Sequence, residues 1–250
     1  MNTTWNRWIG ERKLLTLPRL ALAVASSLAL AFALSACENV ASYTQPSLVR
    51  VIDASYIAPA VNVQVEGVLL AGNIGQGSIT PYGTLPASND AVIDVTAATG
   101  GAALVTSNGT LLAGHQHSVF LTDNGAAPTS YEVTVLEDQQ TAAAGGHSAF
   151  RFLNQAPKTG AVDVYMIPSG TTLANTIPIV TALPVGSTAG YISFTSQTAT
   201  MVITPTGVLT PKYTSTSLAL TGGEVRTVLI VDTQLTSNPP VEIFMANDVN

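Results

Sequence analysis

The sequence predicts an all-β protein: two tandem antiparallel β-sandwiches of Greek-key, immunoglobulin-like type, following a lipoprotein signal peptide. Three observations predict it. Valines alternate with polar residues at period two in Val61, Val63 and Val65, and Val162, Val164 and Met166 alternate with Asp163, Tyr165 and Ile167, which puts one face of a strand inward and the other mostly outward. Beyond the signal no stretch carries a helical period. The chain also repeats itself. Arg50–Asp53 faces Arg151–Asn154 and Ala60–Val63 faces Ala161–Val164, both 101 positions on. Tyr82 faces Tyr191, and Val119–Asp123 faces Val228–Asp232, both 109 positions on. The offset grows by small insertions that fit loops, as in a duplicated module. Each copy has room for about seven short strands.

The first element is residues 1–36. Arg12, Lys13 and Arg19 precede Leu20–Leu34, which is 15 residues without a charge. That is short for a membrane span of roughly 20 residues and fits the apolar core of an export signal. Leu34-Ser35-Ala36-Cys37 follows and resembles a bacterial lipobox. Small residues suit a narrow peptidase site, and the Cys37 thiol is the atom that takes the lipid. Acylation (diacylglycerol and palmitate-type chains) would anchor the mature amino terminus to a membrane. Glu38 rather than Asp after the cysteine points to an outer-membrane anchor. Residues 37–47 read as the lipidated end and a short tether.

The first module is expected over 48–138, a linker over 139–148 and the second module over 149–250. Within the linker, Thr141–Ser148 (TAAAGGHS) is small and flexible; it lets the modules move unless their faces pack. Ser118–Leu121 and Thr227–Val231 are unbroken apolar or β-branched runs, as strands buried on both faces would be. Asn108-Gly109, Asp123-Asn124-Gly125, Thr206-Gly207 and Asn238-Pro239-Pro240 read as turns. Thr172–Ala182 reads as a strand pair or one short helical turn.

Composition excludes whole classes of function. The chain has 9 Lys+Arg and 15 Asp+Glu, and beyond residue 36 these fall to 5 and 14, a formal charge of −9. Five scattered cations cannot neutralise a phosphate backbone, so nucleic acid is not a partner. A single cysteine excludes a disulfide framework and a cysteine zinc cluster. Both tryptophans, Trp5 and Trp8, fall in the signal.

Arg50-Val-Ile-Asp-Ala-Ser followed by Pro59-Ala-Val-Asn-Val63, with Gly67 and Pro81-Tyr82, resembles the start of the bacterial DUF4397 domain. The second copy keeps Arg151, Asn154, Ala156-Pro157, Ala161–Tyr165 and Tyr191, so the resemblance runs over 47–250 as a tandem pair. The first copy departs at Asn62, where the family usually has Asp, and at Tyr56-Ile57. The resemblance implies a secreted or surface-attached β-sandwich, and it implies no catalytic residues and no cofactor. Arg50 and Arg151 read as structural arginines bonding a carboxylate or carbonyl at a sandwich edge, with Asp53 or Asp163 as partners.

Candidate chemistry is sparse. No Gly-x-Ser-x-Gly pentapeptide occurs. His115 and His117 share a strand face about 6–7 Å apart, the spacing of two zinc or copper ligands, with Asp123 or His147 to complete a site. Against this, the second copy has Glu224 and Arg226 there, and solvated strand-edge histidines are the simpler reading. Glu137 and Asp138 are adjacent and point to opposite faces, so they cannot converge as an acid pair. Asp90 and Asp94 are the other carboxylate pair available, with no catalytic role expected; Asn89-Asp90 and Asp123-Asn124-Gly125 suit turns better than calcium. Tyr82 and Tyr191 are expected to pack, which leaves Tyr56 and Tyr165 for a sugar ring. The expectation is a non-enzymatic envelope lipoprotein, with two sandwiches as a binding surface or spacer. Its partners are the membrane through Cys37 and an envelope protein or glycan. The alternatives are an envelope enzyme using His115, His117 and Asp123, and a glycan-binding module.

Overall fold

The computed structural model describes residues 45–123, 130–233, 238 and 240–249. The signal, Cys37, most of the tether and Asn124-Gly125 lie outside these residues. In the first half the strands are β1 (Ser47–Asp53), β2 (Val61–Val65), β3 (Val68–Ile74), β4 (Gly83–Leu85), β5 (Ser88–Ala97), β6 (Ala103–Leu111), β7 (Gln116–Asp123) and β8 (Tyr131–Asp138). In the second half they are β9 (His147–Gln155), β10 (Val162–Pro168), β11 (Val180–Leu183), β12 (Thr188–Thr195), β13 (Gln197–Pro205), β14 (Tyr213–Leu220), β15 (Val225–Asp232) and β16 (Val241–Asn247).

They form four four-stranded sheets, two to each sandwich. The first sandwich pairs β4-β1-β7-β8 with β3-β2-β5-β6, and the second pairs β12-β9-β15-β16 with β11-β10-β13-β14. The two strand orders are the same under the repeat. The all-β sandwich expectation holds, with one change to its antiparallel detail. β1 runs parallel to β7, and β9 runs parallel to β15. The chain leaves along β1, builds the other sheet, and returns along β7 in the same direction.

Alternation explains the two cores. Val49 and Val51 point into the first sandwich with Val61, Val63, Val65, Ile93, Val119 and Leu121. Phe150 and Phe152 point into the second with Val162, Val164, Met201, Ile203, Val228 and Ile230. The residues between them face the other way. Ile52, Ala54 and Phe120 meet Leu153, Leu229, Val231 and Ala246 in a third apolar cluster between the sandwiches. Burying each large side chain there contributes about 1.5–3 kcal/mol. The sheets holding β7 and β15 are therefore covered on both faces, which is why these strands read as unbroken apolar runs. The sandwiches pack, and the small, flexible linker does not leave them independent.

Two local expectations change. Asn108-Gly109 lies inside β6, not in a turn. A Cβ on Gly109 would sit 2.4 Å from Val135 Cγ2, so the glycine marks a close approach between β6 and β8. Thr172–Ala182 resolves into a short 3-10 turn at Leu173–Asn175 and strand β11. That turn lies over Tyr165, Ile167 and Val202 on the outer side of the second sandwich. Tyr165 is consequently buried, not presented to a sugar.

The Asn62 departure also finds its physical meaning. Asn73 and Ala182 adopt left-handed backbone, with φ of 53° and 51°. The Asn73 N–H donates to Asn62 Oδ1 at 2.9 Å, and the Ala182 N–H donates to Asp163 Oδ1 at 2.7 Å. An amide oxygen does here what a carboxylate oxygen does in the second sandwich.

Candidate functional site

The two repeat-equivalent arginines meet where the sandwiches join. Each sits on the first strand of its sandwich, on the face turned away from its own core. Arg50 donates from Nε to Ser118 Oγ at 2.7 Å and from Nη1 to the Asn247 carbonyl at 2.6 Å. Its Nη2 pairs with Asp248 of the second sandwich. Arg151 donates from Nε to Thr227 Oγ1 at 3.0 Å and from Nη1 to the Glu137 carbonyl at 2.8 Å. Its Nη2 pairs with Asp138 of the first sandwich. Each arginine thus reaches across to the other sandwich's last strand or the residue after it.

The carboxylates are held from their own side. Tyr82 and Ser118 donate hydroxyl hydrogens to Asp138 Oδ2 at 2.8 and 2.6 Å. Tyr191 and Thr227 donate to Asp248 Oδ2 at 2.8 and 2.7 Å. Each guanidinium lies over the tyrosine ring of its own sandwich, 4.8 Å from Tyr82 and 4.9 Å from Tyr191. Arg50, Arg151, Asp138 and Asp248 are all buried. Burial pushes the Asp248 carboxyl up, and Arg50 and the Thr227 hydroxyl oppose that. Burial also pushes both tyrosine hydroxyls up, so they stay as donors. Every guanidinium nitrogen has a partner. The arrangement can brace; it leaves no nucleophile or free base.

The sequence foresaw structural arginines bonding carboxylates, with Asp53 or Asp163 as partners. The acids are instead Asp248 and Asp138, because Arg50 and Arg151 face outward on their strands while Asp53 faces in. Asp163 is engaged elsewhere, accepting from Ala182 and Gly207 N–H groups. A signal for the true partners existed: Asp138 and Asp248 occupy repeat-equivalent positions at the ends of the last strands. Tyr82 and Tyr191 pack as expected.

His115, His117 and Asp123 do not form one site. Asp123 is six residues beyond His117 along β7, about 20 Å at strand rise. The His115 ring contacts Glu137 Oε1 at 2.5 Å on the surface. The Leu112 N–H donates to His117 Nε2 at 3.2 Å, and Nδ1 bonds Ser47 Oγ at 2.9 Å. Nε2 is therefore an acceptor and Nδ1 carries the proton. Burial pushes the His117 pKa down, so the ring is a neutral structural bridge, not the solvated histidine expected. Asp123 accepts from Ser55 Oγ at 2.5 Å and the Tyr56 N–H at 2.7 Å, fastening the loop after β1. His147 Nδ1 lies 3.2 Å from the Gly145 carbonyl. No group of three or more His, Cys, Asp or Glu among the described residues is placed to hold a metal ion. Asp90 and Asp94 bond Asn108 and Thr106 across strands.

Beside the brace is a cleft of about 460 Å³, lined by Thr80, Pro81 and Tyr82 on one side and Met245, Asn247 and Val249 on the other. A second, of about 420 Å³, is lined by residues including Asn108, Thr110, His117 and Glu137.

A DUF4397 domain spans residues 47–165. Its family is described as a domain of unknown function. The DUF4397 match runs from β1 through the linker to Tyr165, so it takes in both arginines and Asp138, while Asp248 and Tyr191 lie beyond it. No curated protein sequence matches the chain. Among solved structures the chain is similar to CBMbc, a family CBM26 protein from Eubacterium rectale Amy13K in complex with maltoheptaose. The identity is 10%, over 79% of this chain and 96% of that one, with a TM-score of 0.24. A likeness at that score carries no argument about function.

Proposed function

We propose that the protein is a non-enzymatic cell-envelope lipoprotein, anchored through Cys37, whose two sandwiches form one rigid body that holds a binding or spacer surface off an outer membrane. The observation that carries this reading is the buried brace of Arg50, Arg151, Asp138 and Asp248. It joins the sandwiches and pairs the two buried arginines with carboxylates. The second sandwich is read as a second DUF4397 copy, supported by the matching strand order and by Arg151 and Tyr191. Anchoring rests on the Leu34–Cys37 lipobox sequence. Replacing Cys37 with Ala should move the protein from the outer-membrane fraction to the soluble fraction. Retention in the membrane fraction overturns the anchor.

Glycan binding is the second reading, favoured by the junction cleft with Tyr82 and Pro81 on its wall. Incubation of residues 38–250 with the host's envelope glycans tests it. Retention that Tyr82→Ala abolishes, in a protein that still melts cooperatively, supports this cleft. No retention of glycan or protein from the same extract favours the spacer.

A further inference from the structure

Asp53 ends β1 on the inward face, with no side-chain exposure. Its Oδ1 accepts the Ser55 N–H at 3.0 Å, while Oδ2 is buried with no hydrogen-bond partner among the described residues. Asn154 occupies the equivalent place in the second sandwich, and the frame around it is the same. The Gly77 N–H bonds the Asp53 carbonyl as the Gly186 N–H bonds that of Asn154, and both residues donate their own N–H to a serine carbonyl, Ser78 or Ser187. Asn154 Oδ1 accepts the Ala156 N–H at 3.0 Å, just as Asp53 accepts from Ser55. The difference lies in the other atom. Asn154 Nδ2 donates to the Gly160 and Leu183 carbonyls at 2.8 and 2.9 Å. Asp53 puts an oxygen where the fold wants a donor.

We propose that Asp53 is a proton-binding site: the folded first sandwich holds it as the neutral carboxylic acid, with the proton on Oδ2, in the role the Asn154 amide plays in the second. Ile74 is the positional counterpart of Leu183, because it pairs with Val61 as Leu183 pairs with Val162. Burial, and secondarily the charge of Asp123, push the Asp53 carboxyl up to about 7, against the Ser55 hydrogen bond. Among the described residues Asp123, from β7, is the carboxyl whose charge acts on it, and burial pushes the Asp123 carboxyl up as well. The loop 54–60 carries only Tyr56 as a titratable residue, and the turn 75–80 carries none. Above neutral pH the proton leaves and an unpaired carboxylate is stranded beside Asp123. The loop after β1 and the turn after β3 are the segments this charge strains, so one end of the first sandwich closes with acid and loosens with base.

The test is a set of thermal melts from about pH 5 to about pH 8 on the wild-type chain, Asp53→Asn and Asn154→Asp. The wild type should lose several degrees over that range, and Asp53→Asn should shrink that loss, leaving what the raised Asp123 and Asp248 carboxyls contribute, and match or exceed the wild type at the alkaline end. Asn154→Asp should add a second loss of the same sign. A fall in Asp53→Asn equal to the wild type's overturns the proposal. A direct reading comes from the carboxyl carbon of Asp53 in the wild type, followed by NMR. A midpoint near neutrality supports the proton site, and one near the ordinary value of about 4 overturns it however the variants behave.

Discussion

The two sandwiches share a strand order, yet they treat the same positions differently. In the first, the outward residues of β2, Asn62 and Gln64, lie on a face left to solvent, with Val92 exposed on the neighbouring strand. In the second, the equivalent Asp163 and Tyr165 are buried: Ala182 and Gly207 N–H groups close over Asp163, and Leu173 packs over Tyr165. At the inner end of the first strand one sandwich has an acid and the other an amide. The lesson is that the repeat fixes the frame, while single residues and one loop decide which faces and protons each copy controls. The brace is kept on both sides, with an arginine, a tyrosine, a hydroxyl and an aspartate from each copy, and so is the aspartate that fastens the loop after the first strand, Asp123 in one and Asp232 in the other.

The largest expected effect comes from breaking that brace. Asp138→Ala leaves Arg151 buried without its carboxylate and should cost about 3–5 kcal/mol, measured by chemical denaturation. Asp248→Ala should cost somewhat less, because Arg50 Nη2 keeps Asp138 Oδ2 at 3.6 Å. A double variant Arg50→Met, Asp248→Leu should recover much of the loss, because no unpaired charge remains buried. Equal loss in single and double variants would sink the pairing.

Next comes the contrast of Asp53 with Asn154. The folded-state value of about 7 lies above the ordinary value of about 4, so the folded chain binds the proton more tightly than the unfolded one. Its contribution to stability is complete below about pH 4, falls as pH rises to about 7, and is gone beyond. At about 1.4 kcal/mol per pH unit the full loss is on the order of 4 kcal/mol, an upper bound because the loosened end can admit water. Denaturation midpoints across that window measure it.

Smaller still is the cover on the second sandwich. Leu173→Ala should cost about 1–2 kcal/mol, with faster hydrogen exchange confined to residues around Tyr165 and Val202. An unchanged exchange pattern would mean that the cover does not depend on Leu173. The smallest effect should be His115→Ala, within about 0.5 kcal/mol in thermal melts, because its contact with Glu137 is exposed.

Sequence by itself determined the β-class and the offsets that anticipate the matching strand order of the two sandwiches, since period-two patterning and repeat offsets are local and survive in one dimension. It also picked out the unbroken runs of β7 and β15, though not what covers their second face. Tertiary structure alone decided that the opposite sandwich covers it. It turned Asn108-Gly109 from a turn into a close strand contact, and it separated His117 from Asp123. It also chose Asp248 and Asp138, rather than nearby Asp53 and Asp163, as the arginines' partners. The physical reason is the same in each case. A strand's alternation says that a side chain points to one face or the other, but a salt bridge or a close approach depends on which surface is packed against that face. Arg50 and Asp248 lie 198 residues apart, and only the packing of sheet against sheet brings them within bonding distance.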